Sequence, residues 1–147
     1  MTSCLPLIAA DYHDWLPLWQ GYLTFYEAQV PAATTQLTFE RLVGGQDPMG
    51  GFIARDAHGR ARGMVHWIQH RSCWTPGDYC YLQDLFVATG QRNLGTGRQL
   101  IEAVYAKAAS RDCSRVYWLT HETNSDAMKL YDKVAERSGF LQYRKVL

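Results

Sequence analysis

Apolar side chains first recur at helical spacing between residues 15 and 26, where Trp15, Leu18, Trp19, Tyr22, Phe25 and Tyr26 fall on one broad face. A short apolar run at residues 5–9 precedes them and predicts an opening strand, with Asp11 placed to cap the helix that follows. Pro31 closes this segment, and residues 38–43 predict a short second helix. Glycines and a proline over residues 44–51 (GGQDPMGG) then read as a connector. Three strand candidates follow at residues 52–55, 62–70 and 79–87, separated by DAHG and by a TPGD reversal, so the middle of the chain predicts an antiparallel meander. Helical spacing returns from Gly97, with Leu100, Ile101, Val104 and Ala108 on one stripe. A strand follows at residues 115–120, and a helix from Asn124 puts Ala127, Leu130, Tyr131 and Val134 on one face. Gly139 is placed to end that helix, leaving residues 140–146 as final strand material. The order of elements predicts a mixed α/β sheet with helices packed on it.

At 147 residues the chain fits one domain, residues 1–147, with enough surface to bury its own core. Its 15 basic and 14 acidic side chains nearly cancel, which gives no overall field for nucleic acid or an anionic membrane and makes any charge recognition local. No apolar run approaches the roughly 20 residues of a membrane span, and the N-terminus lacks the pattern of a secretory leader. Cys4, Cys73, Cys80 and Cys113 show no CxxC spacing, so the expectation is reduced thiols and a cytoplasmic protein. His66 and His70 lie four apart on a strand without a matching pair of ligands, so no metal is expected.

Chemistry concentrates where the third strand runs through Leu85, Phe86 and Val87 into Arg92-Asn93-Leu94-Gly95-Thr96-Gly97-Arg98 at a helix N-terminus. Glycines let backbone N–H groups approach an anion, the helix dipole favours negative charge, and the two arginines add formal charge. The same loop could be a plain strand-to-helix connection with a glycine cap. Two nucleotide loops are excluded: GxxxxGK[ST] is absent, and a GxGxxG dinucleotide loop would open a parallel βαβ unit rather than follow a meander.

Arg92-x-x-Gly95-x-Gly97 after an apolar strand resembles the pyrophosphate-binding motif of the GNAT acetyltransferases. The strand 115–120, Asn124, a helix bearing Tyr131 and the Ser138-Gly139-Phe140 segment are similar to the family's second half, in the same order. Tyr81-Leu-Gln-Asp-Leu-Phe-Val87 and Phe25-Tyr-Glu-Ala-Gln-Val30 resemble segments of the spermidine/spermine acetyltransferases, and a yeast histone and polyamine acetyltransferase subgroup is more similar still. The resemblance implies a mixed, mostly antiparallel central sheet of about six to seven strands flanked by about four helices. It also implies acetyl-CoA as co-substrate, direct transfer to a primary amine without an acyl-enzyme, and a homodimer. It implies no metal, no nucleic acid and no membrane.

On that resemblance the coenzyme would contact Leu85, Phe86, Val87, Arg92, Asn93, Leu94, Gly95, Thr96, Gly97, Arg98, Asn124 and Ala127. Tyr131 would protonate the departing thiolate. An alkylammonium with a pKa near 10.4 costs roughly 4 to 5 kcal/mol to deprotonate at neutral pH, so a base or a proton path is needed. Where the polyamine enzymes carry glutamate this sequence has Gln83, which accepts no proton. Asp84 is the nearest carboxylate, with Glu27, Glu122 or backbone carbonyls as other routes through water. Tyr26 and Glu27 offer an aromatic wall and a carboxylate to the acceptor, and Tyr117, Trp118 and Leu119 would border the same pocket. Gln83 leaves open a second reading, a coenzyme-binding module that keeps the fold without turnover.

Overall fold

The computed structural model describes residues 2–90 and 94–147. Five strands, β1 (Ser3–Pro6), β2 (Met49–Arg55), β3 (Ala61–His70), β4 (Tyr79–Val87) and β5 (Arg115–Tyr117), form one sheet in sequential order. β1 to β4 are antiparallel, and β5 lies parallel to β4 after a helical crossover. Four helices cover the sheet: α1 (Tyr12–Phe25), α2 (Ala32–Gly44), α3 (Thr96–Ser110) and α4 (Ser125–Val134).

Alternation along the strands divides the core in two. Phe52, Ala54, Val65, Trp67 and Leu82 face one way and bury Leu100, Ile101, Val104 and Ala108 of α3. Ile53 and Met64 face the other way, against Trp15, Leu18 and Trp19 of α1 and Phe39 and Leu42 of α2. The aromatic stripe read from the sequence is thus a core face: Trp15 is fully buried and stacks on Trp19 at 5.7 Å between ring centroids. An ion pair fastens the start of α1 to the sheet, Arg55 bridging Asp11 and Asp14 at 2.8 Å each.

Several boundaries differ from expectation. Residues 49–51 belong to β2 rather than to a connector. A Cβ on Gly50 would meet the Trp67 ring at 2.8 Å and one on Gly51 the Val65 carbonyl at 2.7 Å, so these glycines mark close packing, not freedom. α2 begins at Ala32, six residues earlier than the hydrophobic period indicated. The sheet has five strands among the described residues instead of six to seven. β5 stops at Tyr117, and residues 135–147 form no strand: they find no ladder partner and leave Phe140, Leu141, Tyr143 and Val146 more than four-fifths exposed. α4 ends at Val134, with the Ala135 N–H donating to the Tyr131 carbonyl. Gly139, at φ 87, therefore lies beyond the helix and does not cap it.

Candidate active site

The site is set by two irregularities of β4. Its ladder with β5 covers only Tyr79–Tyr81 against Arg115–Tyr117, so the strands part company before Leu85. On its other edge β4 carries a bulge: Leu82 pairs with Trp67 and Asp84 with His66, leaving Gln83 as the extra residue. Without the bulge Asp84 would share the α3 side with Leu82. With it, Asp84 and Phe86 face α1, while Leu85 and Val87 pack with the α3 core. Gln83 is exposed at the bulge.

Around Asp84 the structure gathers tyrosines from three directions. Tyr22 of α1 is raised well above the ordinary phenol value by burial, and next by the Asp84 carboxylate, with which its hydroxyl interacts. Tyr26, at the C-terminal cap of α1, and Tyr81 of β4 are raised by burial and then by the same carboxylate. Tyr117 stacks on Tyr81 at 5.0 Å and shares a 2.6 Å hydrogen bond with His70 Nε2. Tyr22, Tyr26 and Tyr81 around one carboxylate make an aromatic, electronegative cluster, the complement of an alkylammonium group.

The second half of the chain enters from the other side. Asn124 is the N-cap residue of α4, and its side chain interacts with the Tyr26 hydroxyl. Tyr131 lies two turns along α4, half-buried edge-on against Trp118 at 5.4 Å, and its phenol is pushed up to about 12 by burial and then by Tyr26. The structure thereby brings together Tyr26, Asp84, Asn124 and Tyr131, four residues that the sequence marked separately. Trp118 packs with the α3 core, Leu119 is half exposed, and Ala127 is half-buried in the first turn of α4. Glu27 sits in an exposed turn at φ 52 and Glu122 is likewise exposed. Neither figures among the groups that perturb the tyrosines around Asp84.

Arg92 and Asn93 fall outside the described residues. Of the rest of the loop, Leu94 is exposed, and Gly95 adopts the left-handed conformation (φ 84) as N-cap of α3. Thr96 is buried with its Oγ1 lacking a hydrogen-bond partner among the described residues, and Arg98 pairs with Glu102 at 2.9 Å. A Cβ on Gly97 would press on Leu130 of α4 at 3.2 Å, so this glycine lets the two helices approach. The first N–H groups of a helix have no intrahelical acceptor, and Gly95 opens the way to them.

Two site residues escaped the sequence reading. Tyr22 looked like one more core aromatic. His66 was set aside with His70, yet the two differ: His70 is exposed, whereas His66 is 2% exposed and hydrogen-bonded to Asp84 Oδ2 through Nδ1 at 2.9 Å. Among the described residues no group of three or more His, Cys, Asp or Glu side chains is placed to hold a metal, and all four cysteines are free. Burial lifts the Cys4 thiol to about 11 and the Cys80 thiol to about 12, which suits packing rather than nucleophilic work.

The site thus lies where an antiparallel meander turns parallel, with a glycine-capped helix N-terminus at one side and a carboxylate at the other. The sequence profile of the Acetyltransferase (GNAT) family matches residues 13–135. D-amino-acid N-acetyltransferase HPA3 of Saccharomyces cerevisiae is 33% identical over 136 residues, 92% of this chain and 84% of the yeast protein. Solved structures share the fold. AAC(6')-Iy, in complex with the bisubstrate analogue CoA-S-monomethyl-acetylneamine, superposes with a TM-score of 0.85 at 19% identity over 100% of this chain and 99% of the other. The ribosomal-protein-alanine N-acetyltransferase of Brucella melitensis biovar Abortus 2308 gives 0.82 at 21% identity, with both chains fully covered. The chain belongs to the GNAT acetyltransferase family and is an N-acetyltransferase.

Proposed function

We propose that the chain transfers acetyl from acetyl-CoA directly to a primary amine, with Asp84 drawing the proton from the amine and Tyr131 returning one to the coenzyme thiolate. The observation that carries this reading is the bulge at Gln83, which turns Asp84 toward the tyrosines of α1 beside the β4–β5 wedge. A carboxylate among phenols first attracts the alkylammonium and then, once the amine is held, takes its proton directly or through a water. The free amine attacks the thioester carbon, the C–N bond forms, and the carbonyl oxygen becomes an oxyanion. Main-chain N–H groups of the strand Leu85, Phe86 and Val87 are the donors for it. As the C–S bond breaks, the phenol of Tyr131 protonates the sulfur, so no acyl-enzyme and no cysteine take part. Gly95, Thr96, Gly97 and Arg98 receive the pyrophosphate at the start of α3, with Arg92, Asn93 and Leu94 in the same loop, and Asn124 and Ala127 border the pantetheine arm.

The named relatives act on amino acids, on a ribosomal protein and, in the AAC(6')-Iy complex, on an aminoglycoside-type amine, which supports a primary amine as acceptor. Gln83, Tyr117 and Leu119 would line its far side, with Glu27 at the rim. We propose also a cytoplasmic homodimer. The exposed apolar residues Phe140, Leu141, Tyr143 and Val146 are the segment that a second copy would cover. Sedimentation of the intact chain and of one ending at Ser138 tests that. A dimer only for the intact chain is expected, and monomers for both would contradict it.

Catalysis is tested with Asp84→Asn. An amide keeps the shape and loses the basicity, so kcat/KM for the amine is expected to fall about 10²- to 10⁴-fold at pH 7 with acetyl-CoA affinity retained. Activity within threefold of the parent would remove Asp84 from the base role.

A further inference from the structure

Behind Asp84 runs a chain of hydrogen bonds that the transfer reaction does not require. The Trp15 indole N–H donates to His66 Nε2 at 2.9 Å, and His66 Nδ1 meets Asp84 Oδ2 at 2.9 Å. An indole nitrogen can only donate, so Nε2 must accept, and the imidazole proton is placed on Nδ1, facing the carboxylate. His66 lies beside the stacked rings of Trp15 and Trp19, at 5.9 and 5.6 Å, on the α1 side of β3. Its partner is not a core residue but the half-buried carboxylate at the site, whose side chain is 12% exposed. For packing alone a leucine or phenylalanine would fill the space without two polar atoms to satisfy.

We propose that His66 is a positioning residue for Asp84: fixed as its neutral Nδ1–H tautomer by Trp15, it holds the carboxylate among the tyrosines as a constant hydrogen-bond acceptor. This rests on the base role argued for Asp84. A neutral donor stabilises the carboxylate over the carboxylic acid, which keeps it charged for capturing an ammonium ion without neutralising it as an arginine would. The same donor offsets the opposing environment, since the other ionisable neighbours are phenols. Tyr22 and Tyr26 face Asp84 from α1 and its cap and Tyr81 from its own strand, with Tyr117 of β5 behind Tyr81 and Tyr131 of α4 against Tyr26. Protonating Nε2 would break the bond from Trp15, so the indole fixes which ring nitrogen carries the proton.

The test compares pH profiles of kcat/KM for amine acetylation in the parent, His66→Leu and His66→Asn. Leucine removes the donor, and the acid limb, set by Asp84, is expected to move up by about one pH unit while KM for acetyl-CoA is unchanged. Asparagine offers an amide N–H near the position of Nδ1 and is expected to return the limb to within a few tenths of a unit of the parent. A uniform loss in both variants with no movement of the limb would mean that His66 only packs. The unmutated protein supplies a second readout: ¹⁵N spectra of the neutral imidazole should show Nδ1 protonated and Nε2 bare, and an Nε2–H tautomer would overturn the proposal. Failure of the base role is distinguished by full activity in Asp84→Asn, because the tautomer and a ¹³C titration of the Asp84 carboxyl in His66→Leu read the His66 contact without turnover.

Discussion

Replacing Tyr131 with phenylalanine removes one O–H and keeps the edge-on contact with Trp118, so it isolates the proton from the packing. The phenol stands at about 12, against about 8.5 for a free thiol, and transfer in water-referenced terms is uphill by roughly 5 kcal/mol. The pocket that raises the phenol raises the thiolate too, because burial disfavours both anions, and this narrows the gap at the moment of C–S cleavage. A general acid in such a place contributes about 10²- to 10³-fold, or roughly 3 to 4 kcal/mol of barrier. Stopped-flow and steady-state release of CoA thiol, followed with a thiol reagent, should show kcat reduced by that factor and KM for acetyl-CoA changed less than about threefold. Solvent should then supply the proton, and the residual rate should fall as pH rises. Because the phenol remains protonated to about 12, the parent should show no alkaline loss attributable to Tyr131 below about pH 11. A kcat within threefold of the parent at pH 7 would refute the acid role.

Three further outcomes follow from the same coordinates. Tyr22, Tyr26, Tyr81, Tyr105, Tyr117 and Tyr131, with Cys4, Cys80 and Cys113, all have folded values raised by burial. The unfolded chain therefore loses protons first, and denaturant midpoints should be flat from pH 7 to about 8 and fall steadily from about 9 to 12. Unchanged midpoints at pH 11 would contradict the burial of these groups. Gly51→Ala sets a Cβ 2.7 Å from the Val65 carbonyl and should cost about 1 to 3 kcal/mol by urea unfolding, with a near-neutral result excluding the close approach of β2 and β3. Gly95→Ala puts a side chain at φ 84, at a cost of about 1 to 2 kcal/mol. If the loop holds the pyrophosphate, calorimetry should show CoA binding weakened about fivefold or more, and parent-like affinity would remove Gly95 from the loop's function.

Much of the fold was legible because each strand of the meander is an apolar run set off by a turn signal and α3 carries a regular stripe. β3 and β4 emerge within a residue of expectation. What the sequence hid was long-range. Gly50 and Gly51 look like a flexible connector until Trp67 and Val65 are seen against them. Residues 140–146 carry enough apolar and aromatic side chains to read as strand material, but composition alone supplies no ladder partner. At the site, Tyr26, Asp84, Asn124 and Tyr131 were recognisable from motif order, whereas their convergence depends on the end of the β4–β5 ladder at Tyr81. The bulge at Gln83 has no local signature and decides which side Asp84 faces. His66 is 18 residues from Asp84 and 51 from Trp15, so only the folded sheet reveals the connection.

The most direct measurement mixes the protein with acetyl-CoA and a panel of primary amines, from D- and L-amino acids through polyamines and aminoglycosides to lysine peptides, and follows free CoA thiol with product mass. Amine-dependent thiol release with a matching gain of one acetyl group on nitrogen, lost in Asp84→Asn, is the predicted result. Tight CoA binding with no amine-dependent release across the panel would contradict the proposed reaction.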